Sequence, residues 1–305
     1  MGKGRKSQMQ TSTTSITNIN GSQKRTSQFK LKWMRFCRNK LAICGLVIII
    51  ILVIAVAAAP LYIDHSRVTN QSMSERFQSP GSEYIFGTDQ FGRDLFARIM
   101  YGGRISIFVG LATAGISFAI GLILGCSAGF LRGWVDTILM RICDIIMAVP
   151  STLLAMAIVA ALGQGIDKML IALSVGLIPQ QTRTIRASVM MLSGQEYVDA
   201  ARTYGMPTPL ILLKHIVPNI IGPLVIGIMM GIGSTILRIA SLGYLGIGIA
   251  SPTPEWGTII SENQNAIRYH PYLGIIPGLF IMVTVMCMNF VGNGLRDALD
   301  PKMKN

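Results

Sequence analysis

Residues 193–218, SGQEYVDAARTYGMPTPLILLKHIVP, form a polar stretch between strongly apolar segments. Ser193 and Glu196 have the spacing of a capping box, which predicts a helix that starts in water rather than in lipid. Gly205 predicts a left-handed end to that helix, and Thr208-Pro209 predicts a second short helix with proline at its first position. A loop that only joins two membrane spans does not need this design. The stretch therefore predicts a surface that docks onto another protein.

The first predicted helix carries a recognisable face. Tyr197, Ala200, Ala201 and Tyr204 follow the i, i+3, i+4, i+7 spacing and predict a face with a small centre and aromatic edges. An ordinary amphipathic pair of surface helices is the alternative interpretation.

The rest of the chain has the composition of a membrane protein. Of its residues 51% are apolar and 13% are charged, and the mean hydropathy is +0.52. Runs long enough to cross a hydrocarbon core of ~30 Å predict five helices. These are Leu41–Ile63, Ile105–Leu131, Ile145–Ile166, Ile216–Leu237 and Tyr269–Leu295. Met169–Thr182 becomes a sixth span if Arg183 and Arg186 snorkel from its cytoplasmic end. The predicted fold is an all-α polytopic membrane protein with six transmembrane helices.

The distribution of charge predicts the orientation. With both termini in the cytoplasm, the inner segments carry a net charge of +13 and the outer segments −1. This asymmetry follows the positive-inside rule, so no net charge remains that would call for nucleic acid as a partner. Residues 1–40 are predicted to be a basic, disordered cytoplasmic tail, and the part nearest the membrane, Lys30 to Lys40, is expected along anionic headgroups. Residues 296–305 are predicted to be a second cytoplasmic tail.

The opening stretch resembles the coupling loop, or "EAA" motif, of bacterial ABC importer permeases. The matching residues are Glu196, Ala200, Ala201, Gly205 and Pro218. His215 and Val217 stand where the general pattern has Ile and Leu.

Three further motifs resemble the permeases of dipeptide, oligopeptide and nickel importers, specifically their C-type subunit. Residues 87–94, GTDQFGRD, match a family signature; taken alone they suit a tight polar turn, with Asp94 placed to begin a helix. Residues 252–257, PTPEWG, match an external element whose Trp256 is expected at the membrane interface. Residues 294–301, GLRDALDP, match the family's ending, so the resemblance covers Leu41 to Lys302.

The resemblance implies a type I ABC importer permease fold. Its domains would be a first span at 41–63, an extracytoplasmic segment at 64–104, and a permease core at 105–295 whose cytoplasmic coupling loop is 183–215. A homologous permease would complete a heterodimer, and two cytoplasmic ATPase subunits would each receive a coupling loop. An extracytoplasmic binding protein would deliver substrate to segments 64–104 and 250–270. Glu196 would make a polar contact with the ATPase, Gly205 would provide the bend, and Ala200 and Ala201 would allow close approach.

The source of energy then lies outside the chain. The sequence has no G-x-x-x-x-G-K-[ST] phosphate loop, so the prediction is a transporter subunit and not an enzyme, with no cofactor of its own and ATP bound by its partners. The expected location is the bacterial cytoplasmic membrane, and the expected cargo is peptides. Glutathione-like peptides, nickel or a metal chelate are alternatives, as is a secondary transporter that works without ATPases.

Arg238 is the only charge deep within a predicted span. It would line the translocation path, or the fifth span would end early and leave it near the external interface. His65, His215 and His270 are far apart in the predicted topology and predict no metal site. Gly121, Gly125 and Gly129 form a small-residue stripe that predicts close helix packing.

Overall fold

The computed structural model describes residues 28–299, and the regular structure in that range is helical. The helices are α1 Gln28–Arg38, α2 Lys40–Ala57, α3 Ala59–Tyr62, α4 Ser66–Thr69, α5 Leu95–Leu131, α6 Gly133–Met147, α7 Ser151–Leu162, α8 Ile166–Ser193, α9 Glu196–Thr203, α10 Thr208–Ile211, α11 Val217–Tyr244, α12 Trp256–Glu262 and α13 Tyr272–Leu299. A 3₁₀ turn covers Met73–Glu75, and a π turn at Leu212–Ile216 joins α10 to α11. The all-α prediction is confirmed.

Within residues 28–299, four helical segments are long and apolar enough to cross a membrane. They are Lys40–Ala57, Leu95–Leu131, Thr208–Tyr244 and Tyr272–Leu299. The bent pair α6 and α7 adds a fifth if it counts as one span. Helix α8 contains the sixth predicted span, Met169–Thr182, but it is not among the segments that are apolar enough. Its 28 residues extend roughly 42 Å, which is long enough.

The third predicted span, Ile145–Ile166, is wrong as a single helix. Helices α6 and α7 meet at an angle of 83°. The break falls at Pro150, which disfavours helical backbone at the residue before it. Ile166 belongs to the next helix, because Gly163 and Gly165 have positive φ angles and end α7 before it.

Both predicted tails contain helix. Residues 28–38 of the tail predicted at 1–40 form α1, while residues 1–27 lie outside the described range. At the other end α13 continues to Leu299, so it takes up the first four residues of the tail predicted at 296–305; the remaining residues lie outside the described range.

The predicted loops are shorter than expected. Helix α5 begins at Leu95, inside the predicted external segment 64–104, because Asp94 caps it as predicted. The Asp94 carboxylate accepts hydrogen bonds from the backbone N–H groups of Phe96 at 2.9 Å and Ala97 at 3.3 Å. Helix α8 likewise extends eleven residues into the predicted coupling loop 183–215.

The glycine stripe of α5 packs directly on α8. A Cβ at Gly121 would lie 2.7 Å from Cβ of Gln181, and one at Gly125 would lie 2.8 Å from the carbonyl oxygen of Thr182. A Cβ at Gly129 would meet the carbonyl oxygen of Arg186 at 2.8 Å. No larger residue fits at these positions without separating the two helices. The predicted close packing is present.

Candidate functional site

The docking loop, residues 194–216, is anchored in the same hydrophobic cluster as the ends of the long helices. Val198 and Ala201 on α9 are buried. They pack in a cluster with Ile185 of α8, Phe130 of α5 and Ile216 of the π turn. Burial of these side chains fixes α9 against the helical bundle, so the loop is a structured element rather than a flexible connection.

The predicted capping box is wrong. Ser193 is the last residue of α8, and its backbone is helical rather than extended. Its hydroxyl donates to the carbonyl oxygen of Met190 and accepts from Nη2 of Arg132, each at 3.0 Å. A serine at the end of a helix can bond back to its own helix in this way, which competes with capping the next one. Gln195 occupies the N-cap of α9 and makes no side-chain capping bond.

The predicted left-handed end of α9 is present. Gly205 has φ +74°, and its N–H donates to the carbonyl oxygen of Arg202 at 2.9 Å. The N–H of Met206 donates to the carbonyl oxygen of Ala201 at 3.1 Å. These two bonds form a Schellman motif, which satisfies the last carbonyls of the helix and turns the chain sharply.

The four residues of the predicted docking face do not all lie on the exposed side of α9. Tyr197 and Tyr204 are 41% and 89% exposed, and Ala200 is exposed between them. Ala201, however, is only 7% exposed and packs inside the permease. The two alanines therefore cannot share the role of allowing close approach. Glu196 is also exposed and lies at the start of the same outer face.

Pro218 lies in the first turn of α11 and is not part of the exposed face of α9. Proline has no N–H to donate, and its ring clashes with the carbonyl four residues earlier in an α-helix. Directly before it the chain widens into the π turn Leu212–Ile216. Nδ2 of Asn219 donates to the carbonyl oxygen of His215 at 2.6 Å, which satisfies one acceptor of that turn.

Two arginines predicted to snorkel instead form ion pairs with α6. Arg186 binds Asp136 through two bonds of 2.5 Å, from Nε to Oδ1 and from Nη2 to Oδ2. Arg183 binds Asp144. Because these arginines lie about two and three helical turns before the docking loop, they connect α6 to the end of α8 that carries it.

The predicted polar turn at residues 87–94 is part of a buried ionic network. This cluster consists of Asp89, Arg93, Arg98 and Glu262, and it is called the outer ion cluster because it lies at the end of the bundle opposite the docking loop. Oδ2 of Asp89 lies 2.7 Å from Arg93 Nε and 2.7 Å from Arg98 Nη1. Oε2 of Glu262 lies 2.6 Å from Arg93 Nη2 and 2.7 Å from Arg98 Nη1. Two positive and two negative groups thus join the loop before α5 to the end of α12.

Sequence reasoning missed two members of this cluster. Arg98 lies within the first turns of α5 and Glu262 at the end of α12, 164 positions apart in the sequence. Burial alone would raise the pKa of Glu262, but the guanidinium groups of Arg98 and Arg93 outweigh it and hold the pKa below its usual range. The available signal in the sequence was Arg98 itself, a charged residue followed by the uncharged residues 99–103.

Residues 254–257 are buried in the bundle instead of lying at the membrane interface. Trp256 is fully buried, and its Nε1 donates to the carbonyl oxygen of Ile99 at 2.9 Å, so the expected interfacial position is wrong. The buried carboxylate of Glu255 caps α12 by accepting from the N–H groups of Gly257 and Thr258, both at 3.0 Å. Burial raises the pKa of Glu255. Helix α12 is therefore a fixed cap on α5 and α11 at the end of the bundle opposite the docking loop.

Arg238 lies within a helix rather than beyond its end. Helix α11 continues to Tyr244, six residues past it. Its side chain is half-buried, and Nη1 donates to Oγ of Ser151, the first residue of α7. The guanidinium thus lies against the break between α6 and α7.

The geometry defines a multi-pass membrane protein whose helices support a structured docking loop at one end and a cap at the other. The family described as "Binding-protein-dependent transport system inner membrane component" matches residues 121–305. The "N-terminal TM domain of oligopeptide transport permease C" matches residues 27–80. The chain belongs to this family of inner-membrane transport permeases.

Similar proteins extend over most of the chain. The dipeptide transport system permease protein DppC of Alkalihalophilus pseudofirmus is 42% identical, with 88% of each chain covered. The oligopeptide transport system permease protein OppC of Bacillus subtilis is 39% identical, with 93% of this chain and 92% of that protein covered. A glutathione transport system permease protein, GsiD of Pectobacterium atrosepticum, is 37% identical, with 90% and 91% covered.

The fold has a solved counterpart. An inward-facing structure of the MetNI methionine ABC transporter matches 68% of this chain and 98% of its own, with a TM-score of 0.58 and 17% identity. The fold is that of a type I ABC importer permease, and the chain is a multi-pass protein of the inner membrane.

Proposed function

We propose that this chain is the C-type permease subunit of an ATP-driven importer of peptides. The docking loop is the observation that carries the proposal, because α9 presents exposed aromatic and small side chains while its other side is buried in the bundle. An exposed, rigid apolar face of this kind suits insertion into a groove of another protein. The partners would be two cytoplasmic ATPase subunits, which would bind the ATP.

The orientation follows from the same assignment. If the docking loop is cytoplasmic, so are both termini, and the outer ion cluster and α12 face an extracytoplasmic binding protein. A homologous permease would complete the translocation path as a heterodimer. Arg238 would face that path, where its guanidinium could contact a peptide carboxylate or backbone carbonyl. Membership of a family of binding-protein-dependent transporters favours this function over a secondary transporter without ATPases.

Ala200→Arg tests the docking face. The side chain at position 200 points away from the bundle, so the permease should keep its thermal stability. We expect recovery of the ATPase subunits with tagged permease to fall about tenfold, because an arginine placed in a closely packed groove costs 1.4 kcal/mol or more. Co-purification from the membrane measures this.

Two matched variants accompany that test. Ala201→Arg should instead destabilise the permease itself, since this position lies in the hydrophobic cluster. Ser82→Arg, at an exposed position of the external segment, should change neither property. Normal ATPase recovery with Ala200→Arg would show that the exposed face of α9 is not the docking surface.

The cargo is tested on the partner binding protein. Two of the similar permeases carry names for dipeptide and oligopeptide transport, which supports peptides as the substrate class. Mass spectrometry of the ligand retained by the purified binding protein should show a peptide. A bound nickel ion or metal chelate would contradict the peptide assignment while leaving the ATP-driven importer intact.

A further inference from the structure

A cavity of about 760 Å³ lies between α1, α11 and α13. It is at the same end of the bundle as the docking loop, because α11 begins there and α13 ends there. Most of its lining is apolar, including Trp33, Ile226, Met229 and Leu295. Trp33 is 53% exposed and stacks on the buried Phe36, so the cavity opens at the surface of the bundle beside α1.

The charged groups around this cavity are mainly positive. Arg296 is exposed and is the one charged residue in its lining. Helix α1 ends with Arg35 and Arg38 in its last turn, and Lys40 follows at the start of α2. Asp297 is the acidic group close by, and its Oδ2 accepts from Nδ2 of Asn39 at 3.1 Å. Within the described residues the positive rim therefore consists of Arg296 in the lining and of the basic end of α1 outside it.

We propose that this cavity is a binding site for one anionic phospholipid. An acyl chain would occupy the apolar space along α11 and α13, and the phosphate would lie at Arg296 beside the basic end of α1. Basic pockets between transmembrane helices on the cytoplasmic side suit anionic headgroups, and tryptophan favours the depth at which headgroup and chain meet.

Charge complementarity selects this occupant over two others. Residues 1–27 of the chain contain lysine and arginine but no acidic residue, so they do not complement a positive rim. A second copy of the chain would bring its own basic α1 to the same place. An anionic lipid supplies both the apolar length and the opposite charge.

Gly222→Leu tests occupancy of the cavity. Gly222 lines it, and a Cβ there would meet only Cδ1 of Leu299, at 3.9 Å, so leucine fills the space without striking the backbone. Gly227→Leu is the control on the same helix, because nothing lies within 4 Å of a Cβ at Gly227 and it does not line the cavity. Native mass spectrometry of the purified importer should show phosphatidylglycerol retained by wild type and Gly227→Leu and lost from Gly222→Leu. Equal retention by the two variants would overturn the site.

Arg296→Gln tests the headgroup contact at an exposed position where the fold is not at risk. With the importer in nanodiscs of mixed phosphatidylglycerol and phosphatidylcholine, the preference for the anionic lipid should fall about fivefold. Arg268→Gln, on the outer side of the bundle, should leave the preference unchanged. If wild type retains the two lipids equally well, the anionic site is refuted. It is also refuted if Arg296→Gln keeps the preference for phosphatidylglycerol.

Discussion

Gly205→Val is expected to abolish ATP-driven uptake while the permease stays in the membrane. The backbone at position 205 has φ +74°, in the left-handed region. A residue with a Cβ costs roughly 1–2 kcal/mol there, and β-branching raises the cost. The Schellman bonds to Arg202 and Ala201 would be lost, and α9 would no longer turn into α10 at the same angle. Transport of labelled substrate into proteoliposomes measures the effect.

The expected loss comes from backbone conformation and not from a clash, since a Cβ at Gly205 meets nothing within 4 Å. Gly194→Val is the matched control in the same loop. Gly194 has φ −98° and equally open surroundings, so uptake should be close to that of wild type. Gly205→Asn should fall between the two, because asparagine tolerates the left-handed region. Full activity of Gly205→Val would contradict the role of the bend.

Arg98→Met should give the largest loss of stability among the substitutions considered. Arg98 is fully buried and contacts Asp89 and Glu262, so its removal leaves the outer ion cluster with one uncompensated negative charge. Breaking a buried ionic group by removing one partner costs about 3–5 kcal/mol. We expect a lower thermal midpoint in detergent and less permease in the membrane.

Arg67→Met provides the comparison for that experiment. Arg67 is 56% exposed and lies 3.5 Å from Asp94, so its loss should cost at most about 1 kcal/mol. Glu262→Gln in the Arg98→Met background should restore part of the stability, because it removes the excess charge. Equal thermal midpoints for Arg98→Met and Arg67→Met would show that the cluster contributes little.

Local patterns in the sequence predicted the features that depend on a few neighbouring residues. The apolar runs predicted the long helices, Asp94 predicted the start of α5, and Gly205 predicted the end of α9. Each depends on backbone chemistry within one helical turn, such as a side-chain acceptor or a glycine without a Cβ. The docking face was predicted in outline only, because helical spacing does not say which side of α9 the bundle covers.

Features that depend on distant residues could not be predicted in this way. The partners of Arg98, Arg183 and Arg186 lie outside the helices that carry these arginines, and no local pattern identifies them. Ser193 does not cap α9, because it is the last residue of α8. Its spacing to Glu196 matches the capping-box pattern, but that pattern does not show where the preceding helix ends. Trp256 was placed at an interface by its residue type, whereas the packing of α12 on α5 buries it.

The difference in burial between the outer and inner ion pairs has a consequence for the environment of the importer. Dissolved salt weakens attraction between exposed charges and has little influence on charges shielded from water. In the outer ion cluster Asp89 and Arg98 are inaccessible to solvent, whereas Arg183 and Asp144 are 43% and 46% exposed. In the proposed orientation the shielded charges face the external medium, whose ionic strength varies, and the exposed pair faces the regulated cytoplasm. The cap can therefore keep its structure when the organism moves between dilute and saline surroundings.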